Sequence, residues 1–112
     1  MRPTFHLVPD DVWAAADPDA PYRAASLDDE GFIHCTDGID ALGVTFDRYY
    51  RADERRFLAV TVDLDALDVP WRYDVPGSPY PHIYGQIRRS AVTAINRVER
   101  AADGRFARLG PI

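Results

Sequence analysis

The chain contains no lysine; its thirteen basic residues are all arginine. That absence removes Schiff-base and lysine-nucleophile mechanisms from consideration. There is one cysteine, Cys35, which has no partner for an internal disulfide, so a reducing cytoplasm is the expected compartment. No apolar run approaches the roughly 20 residues of a membrane span. The opening Met1 to Val8 reads as too short and too polar for a signal peptide, so no membrane partner is expected. Positive charge is also scarce. Eighteen acidic residues against thirteen basic ones give a formal net charge of −5. Tight non-specific binding to duplex nucleic acid needs a basic footprint and is excluded; a local arginine-lined pocket for an anion is not. Repeats, low-complexity tracts and linkers are absent. So are the HxxxH, HExxH and CxxC spacings of zinc sites, and no metal or cofactor is expected.

What is present is core material. Hydrophobic residues make up 46% of the chain, with two Trp, six Tyr and five Phe, enough for a single domain over residues 1–112. Thr4 to Val8 reads as a strand. Pro9 to Ala16 reads as a short helix with Asp10 as N-cap and Trp13 packed on a sheet. Asp17 to Pro21 is a breaker. Tyr22 to Ser26 is expected to be extended, and Leu27 to Glu30 a helical turn or loop. Ile39, Leu42, Phe46 and Tyr49 or Tyr50 recur at helical spacing, which predicts an amphipathic helix over about Gly38 to Tyr50, capped by Thr36 or Asp37. Phe57 to Leu64 alternates as a strand, and Asp63 to Leu67 makes a tight turn. Val69 to Val75 is a further strand with Trp71 and Tyr73 on one face. Val92 to Arg100 pairs with Arg105 to Leu109 through a two-residue turn at Asp103-Gly104. Strands dominate and helices are confined to the first half, so the fold class is α+β.

Two strand-like segments carry one signature, His34-x-Thr36 and His82-x-Tyr84. Successive strand side chains alternate faces, so His34 and Thr36 share a face with Phe32, while Ile33 and Cys35 take the other. Tyr80, His82 and Tyr84 likewise share a face. Buried polar groups are costly unless paired, so fold stability alone gives no reason for this repetition. The expectation is one cleft lined by both segments, beside the anion-favouring N-terminus of the helix that follows. Cys35 points away from His34, so the two cannot form a dyad, and it reads as a small core residue. His6 reads as structural. Arg23 and Arg72 are possible anion contacts, and Arg88-Arg89 reads as an exposed turn. Zinc ligation by the histidines and Asp37 is the rival reading.

At Gly31-Phe32-Ile33-His34-Cys35-Thr36 and Pro81-His82-Ile83-Tyr84-Gly85 the chain resembles the bacterial and plant family known as domain of unknown function 952. The resemblance runs in order over about Phe5 to Val98, with Thr36 where Ser is usual and Ile83 where Leu is usual. That family is remotely similar to the ADP-ribosyltransferase superfamily, which includes the NAD-consuming RNA 2′-phosphotransferases. The resemblance implies a mostly antiparallel, strongly bent sheet with helices from the N-terminal half. It implies that His34 and Thr36 hold a nicotinamide ribose and that His82 or Tyr84 flanks the ring. One departure counts against transfer to protein: no Glu stands where transferases place a catalytic one, and Glu99 has no motif around it.

The expected function is therefore a cleft for NAD, ADP-ribose or a related nucleotide, with ADP-ribosyl-transfer-type chemistry. His34 and His82 are the expected catalytic residues; Thr36, Tyr84, Tyr80 and Arg23 are the expected substrate contacts. NAD would be a substrate rather than a resident cofactor. The alternatives are a non-catalytic module for a small ligand or peptide, and a metal-dependent hydrolase.

Overall fold

The computed structural model describes residues 1–112. Its elements are β1 (Pro3–Pro9), α1 (Asp10–Ala15), α2 (Ala25–Glu30), β2 (Ile33–His34), α3 (Ile39–Tyr49), β3 (Phe57–Asp63), β4 (Trp71–Arg72), β5 (His82–Ile83), β6 (Val92–Arg100) and β7 (Phe106–Gly110). A four-stranded sheet runs β1-β3-β6-β7 and a three-stranded one β2-β5-β4. Every pairing between strands is antiparallel. The α+β class is as the residue pattern requires, with all three α-helices in the first half. No helix is long and apolar enough to cross a membrane.

β3 is the centre because it is buried on both faces. Leu58, Val60, Val62 and Leu64 meet Val8, Ile33, Cys35, Ile83 and Ile87 in one cluster, under the small sheet. Phe57 and Ala59 point the other way, into a second cluster with Leu42 and Phe46 of α3 and Val98. The alternation that identifies the strand is thus an alternation between two cores, not between core and water. The sheets are tied where Phe5 and Thr36 exchange backbone hydrogen bonds of 2.9 and 2.8 Å.

Several local expectations are corrected. α1 begins at Asp10 itself, behind Pro9, with no side-chain cap; a proline already leaves the N-terminal turn short of one donor. α2 begins at Ala25, so Ser26 is helical rather than extended. Gly38 precedes α3, also without a side-chain cap. Neither Thr36 nor Asp37 fills that role: Thr36 is engaged with Phe5 through its backbone, and the Asp37 carboxylate accepts from the Tyr73 hydroxyl. The strand expected over Val69 to Val75 shrinks to Trp71–Arg72. The β6–β7 turn is longer than two residues. Ala101 N–H donates to the Arg105 carbonyl, and Gly104 N–H, at φ 88°, to that of Ala101. A left-handed glycine closing such a loop suits the twist of the flanking strands. Arg89 is not an exposed turn residue. It donates to the carbonyls of Ala20 and Asp17 at 2.8 Å each and lies 4.6 Å over the Trp13 ring, strapping the proline-rich loop down.

Candidate functional site

The site begins at the end of α2. Gly31 takes the left-handed conformation, φ 89°, and its N–H donates to the Leu27 carbonyl. That reversal sends the chain directly into β2, where Ile33 is buried and His34 faces outward. Glu30 is thereby left beside His34, and its carboxylate accepts from Nε2 at 2.7 Å.

β5 pairs with β2 so that Ile83 opposes Ile33 and His82 opposes His34. The isoleucines anchor the pair in the core, which obliges both histidines to the outer face. Their ring centroids are 5.6 Å apart and nearly perpendicular. Phe32 organises them. It stacks on His82 at 3.9 Å and meets His34 edge-on at 4.8 Å. On the far side of β5, Arg72 of β4 opposes His82. Two residues on, the Asp74 carboxylate accepts from His82 Nδ1 and Arg72 Nε, each at 2.6 Å, and from the Tyr84 hydroxyl. Those three donors, Tyr84 foremost, hold the Asp74 carboxyl below its usual range, and the same bond pushes the Tyr84 phenol up.

Carboxylates only accept, so His82 carries a proton on Nδ1 and His34 on Nε2. His82 Nε2 and His34 Nδ1 have no hydrogen-bond partner in the protein. Both rings line a cleft of about 410 Å³. Thr36 and Cys35 lie at its base, and Tyr80 closes one end. The opposite wall is one face of α3: Thr45, Arg48 and Tyr49, at spacings of three and four residues. Arg48 is exposed and has no acidic partner. Thr45 and Tyr80 touch across the opening at 3.5 Å. A second recess of about 300 Å³ shares His34, Thr36, Thr45 and Tyr50 with this one. The two form a bipartite groove.

His34, His82, Thr36 and Tyr80 therefore meet in one place. Tyr84 and Arg23 do not. Tyr84 stands outside the cleft, its hydroxyl on Asp74 and one ring face covered by Arg72 at 4.0 Å, so it does not line the cleft as a stacking platform. Arg23 is held by Asp28 and lines a separate shallow recess. Arg72 is likewise committed, to Asp74 and Tyr84. Glu99 pairs with Arg108 in the large sheet and has no part in the cleft. Cys35 is buried, and that burial pushes its thiol well above the usual range, leaving it protonated. No three His, Cys, Asp or Glu side chains gather to hold a metal ion, so the zinc reading has no ligand set.

His6 braces the site from beneath. Its Nδ1 donates to the His34 carbonyl at 2.8 Å. Burial lowers its pKa, so the ring is neutral and Nε2 accepts from the Tyr22 hydroxyl at 3.4 Å. Residue patterns missed Glu30, Asp74, Phe32 and Arg48. Glu30 stands four residues before His34 and Asp74 two after Arg72, but neither spacing means anything until the glycine turn and the β4–β5 register are known.

Three solved structures of one protein, CC0527 from Caulobacter crescentus, share the fold: a crystal structure, that of a double mutant, and a solution NMR structure. Each is 24% identical, with a TM-score of 0.72 over 94% of this chain, covering 93% of either crystal chain and 91% of the NMR one. At that identity the likeness establishes the fold alone. No curated protein matches the chain. The family model described as a protein of unknown function, DUF952, matches residues 7–95, and the chain belongs to that family.

Proposed function

We propose that the groove binds a nucleotide of the NAD or ADP-ribose kind in a reducing cytoplasm, and that His34 and His82 act on it. The observation that carries this reading is the pairing of two outward imidazoles with an arginine that has no carboxylate of its own, across one cleft. Arg48 suits a phosphate, because a guanidinium donates two parallel hydrogen bonds to an oxyanion. Tyr80 offers a ring face for a base, and His34 and Thr36 offer polar contacts for ribose. The second recess gives room for the other half of a dinucleotide. The ADP-ribosyltransferase-like reading of the fold belongs with this proposal, and ADP-ribosyl transfer is the activity to assay first. The non-catalytic alternative predicts the same binding with no turnover.

A thermal-shift series with NAD, ADP-ribose and AMP tests it. Ligand at about a hundred times its Kd adds about 2.7 kcal/mol to stability and raises Tm by several degrees. Arg48→Glu reverses the charge of an exposed residue; it is expected to leave the unliganded Tm in place and to remove the shift. A series in which no nucleotide raises Tm, or in which Arg48→Glu keeps the full shift, contradicts the assignment.

A further inference from the structure

Each imidazole in the cleft uses one ring nitrogen on a carboxylate and keeps the other unbonded. Hydrolysis of a phosphoester needs two proton transfers, one from the entering water and one to the leaving oxygen. Two rings 5.6 Å apart, each with one unbonded nitrogen, can reach two oxygens of a single phosphorus through hydrogen bonds of about 2.6–3.2 Å. Arg48 is the one guanidinium lining that cleft, and it has no acidic partner to compete with a phosphate.

We propose that His34 and His82 are a general acid–base pair that opens a cyclic phosphodiester on the ribose of a nucleotide, with water as the nucleophile. The proposal rests on the reading that the cleft takes a nucleotide, and it names the bond that is broken. The carboxylates divide the roles. Glu30 pairs with no other cation, so its charge acts wholly on His34. Asp74 shares its charge among His82, Arg72 and Tyr84. In this step His34 enters with both ring nitrogens protonated, Nε2–H on Glu30 and Nδ1–H toward the leaving oxygen, and is the proton donor; His82 is the acceptor. His82 Nε2 takes a proton from water, and the water oxygen bonds to phosphorus. The bond from phosphorus to one ribose oxygen breaks with its electron pair, and that oxygen takes the proton from His34 Nδ1. Water is consumed, nothing is oxidised or reduced, and solvent resets both rings.

The probe is 2′,3′-cyclic AMP, with product followed by phosphorus NMR, and ADP-ribose binding measured in parallel by calorimetry. The wild-type chain is expected to convert it to adenosine 2′- or 3′-monophosphate. His34→Gln and His82→Gln, on an exposed and a half-buried side chain, are each expected to lower kcat by about 100-fold or more. Asp74→Asn, which acts through His82, is expected to lower kcat about tenfold or more with KM unchanged. ADP-ribose binding without any turnover of the cyclic nucleotide overturns the acid–base pair and leaves the nucleotide reading standing; loss of both overturns both. Turnover that persists within threefold in His82→Gln also overturns the pair.

Discussion

His6 shows how one side chain ties fold to site. It is buried and uncharged, with its Nδ1 proton on the carbonyl of the residue whose own ring faces the cleft. Its pKa is lowered by burial from an ordinary value of 6.5. The unfolded chain therefore binds the extra proton first, so stability rises with pH through that region and is lost as pH falls below about 6.5. Denaturation between pH 5 and pH 7 is expected to show this slope. His6→Gln, which keeps a donor and an acceptor, is expected to flatten it; an unchanged slope means that another group titrates. At this scale the sequence was half legible. His34 and His82 stand out because histidines in apolar strands demand an explanation. Their carboxylate partners do not, because one is contributed by a helix end and the other by the loop after β4. Tyr84 misleads for the same reason: the period of two gives its face correctly but says nothing of the arginine that covers its ring.

The two-residue strands β2, β4 and β5 are short, yet each is fixed by what it buries. Ile33 and Ile83 are fully buried and directly opposed, so a slip of one residue would turn both histidines into the core. Gly31 sets the approach. It has open space where a Cβ would stand, so Gly31→Ala is expected to cost only the left-handed backbone term, about 1–2 kcal/mol by chemical denaturation, with Glu30 still beside His34. The far wall depends on α3, which is held to β3 by Leu42 and Phe46, both without exposed surface. Phe46→Ala is expected to cost about 3–5 kcal/mol in the same measurement, with loss of the cleft wall. α3 and β3 were legible because each has a long, consistent period. α2 was not, since nothing at Ala24 caps it and its start is set by packing.

The molecule is two antiparallel sheets back to back, and the cleft lies where the smaller one meets α3. Neither sheet could be derived as separate from periodicity, because their division depends on the Phe5–Thr36 tie and on the register of very short strands. The chain belongs to the DUF952 family, and its likeness to CC0527 shows the shared fold. The proposed role rests on the cleft itself. The most direct test is an NMR titration of the chain with ADP-ribose, reading the ring C–H signals of His34 and His82. Both sets are expected to move together along one saturable curve, and Arg48→Glu to abolish the movement. Signals that stay fixed at millimolar ligand, or a shift confined to one ring, would contradict a shared nucleotide cleft.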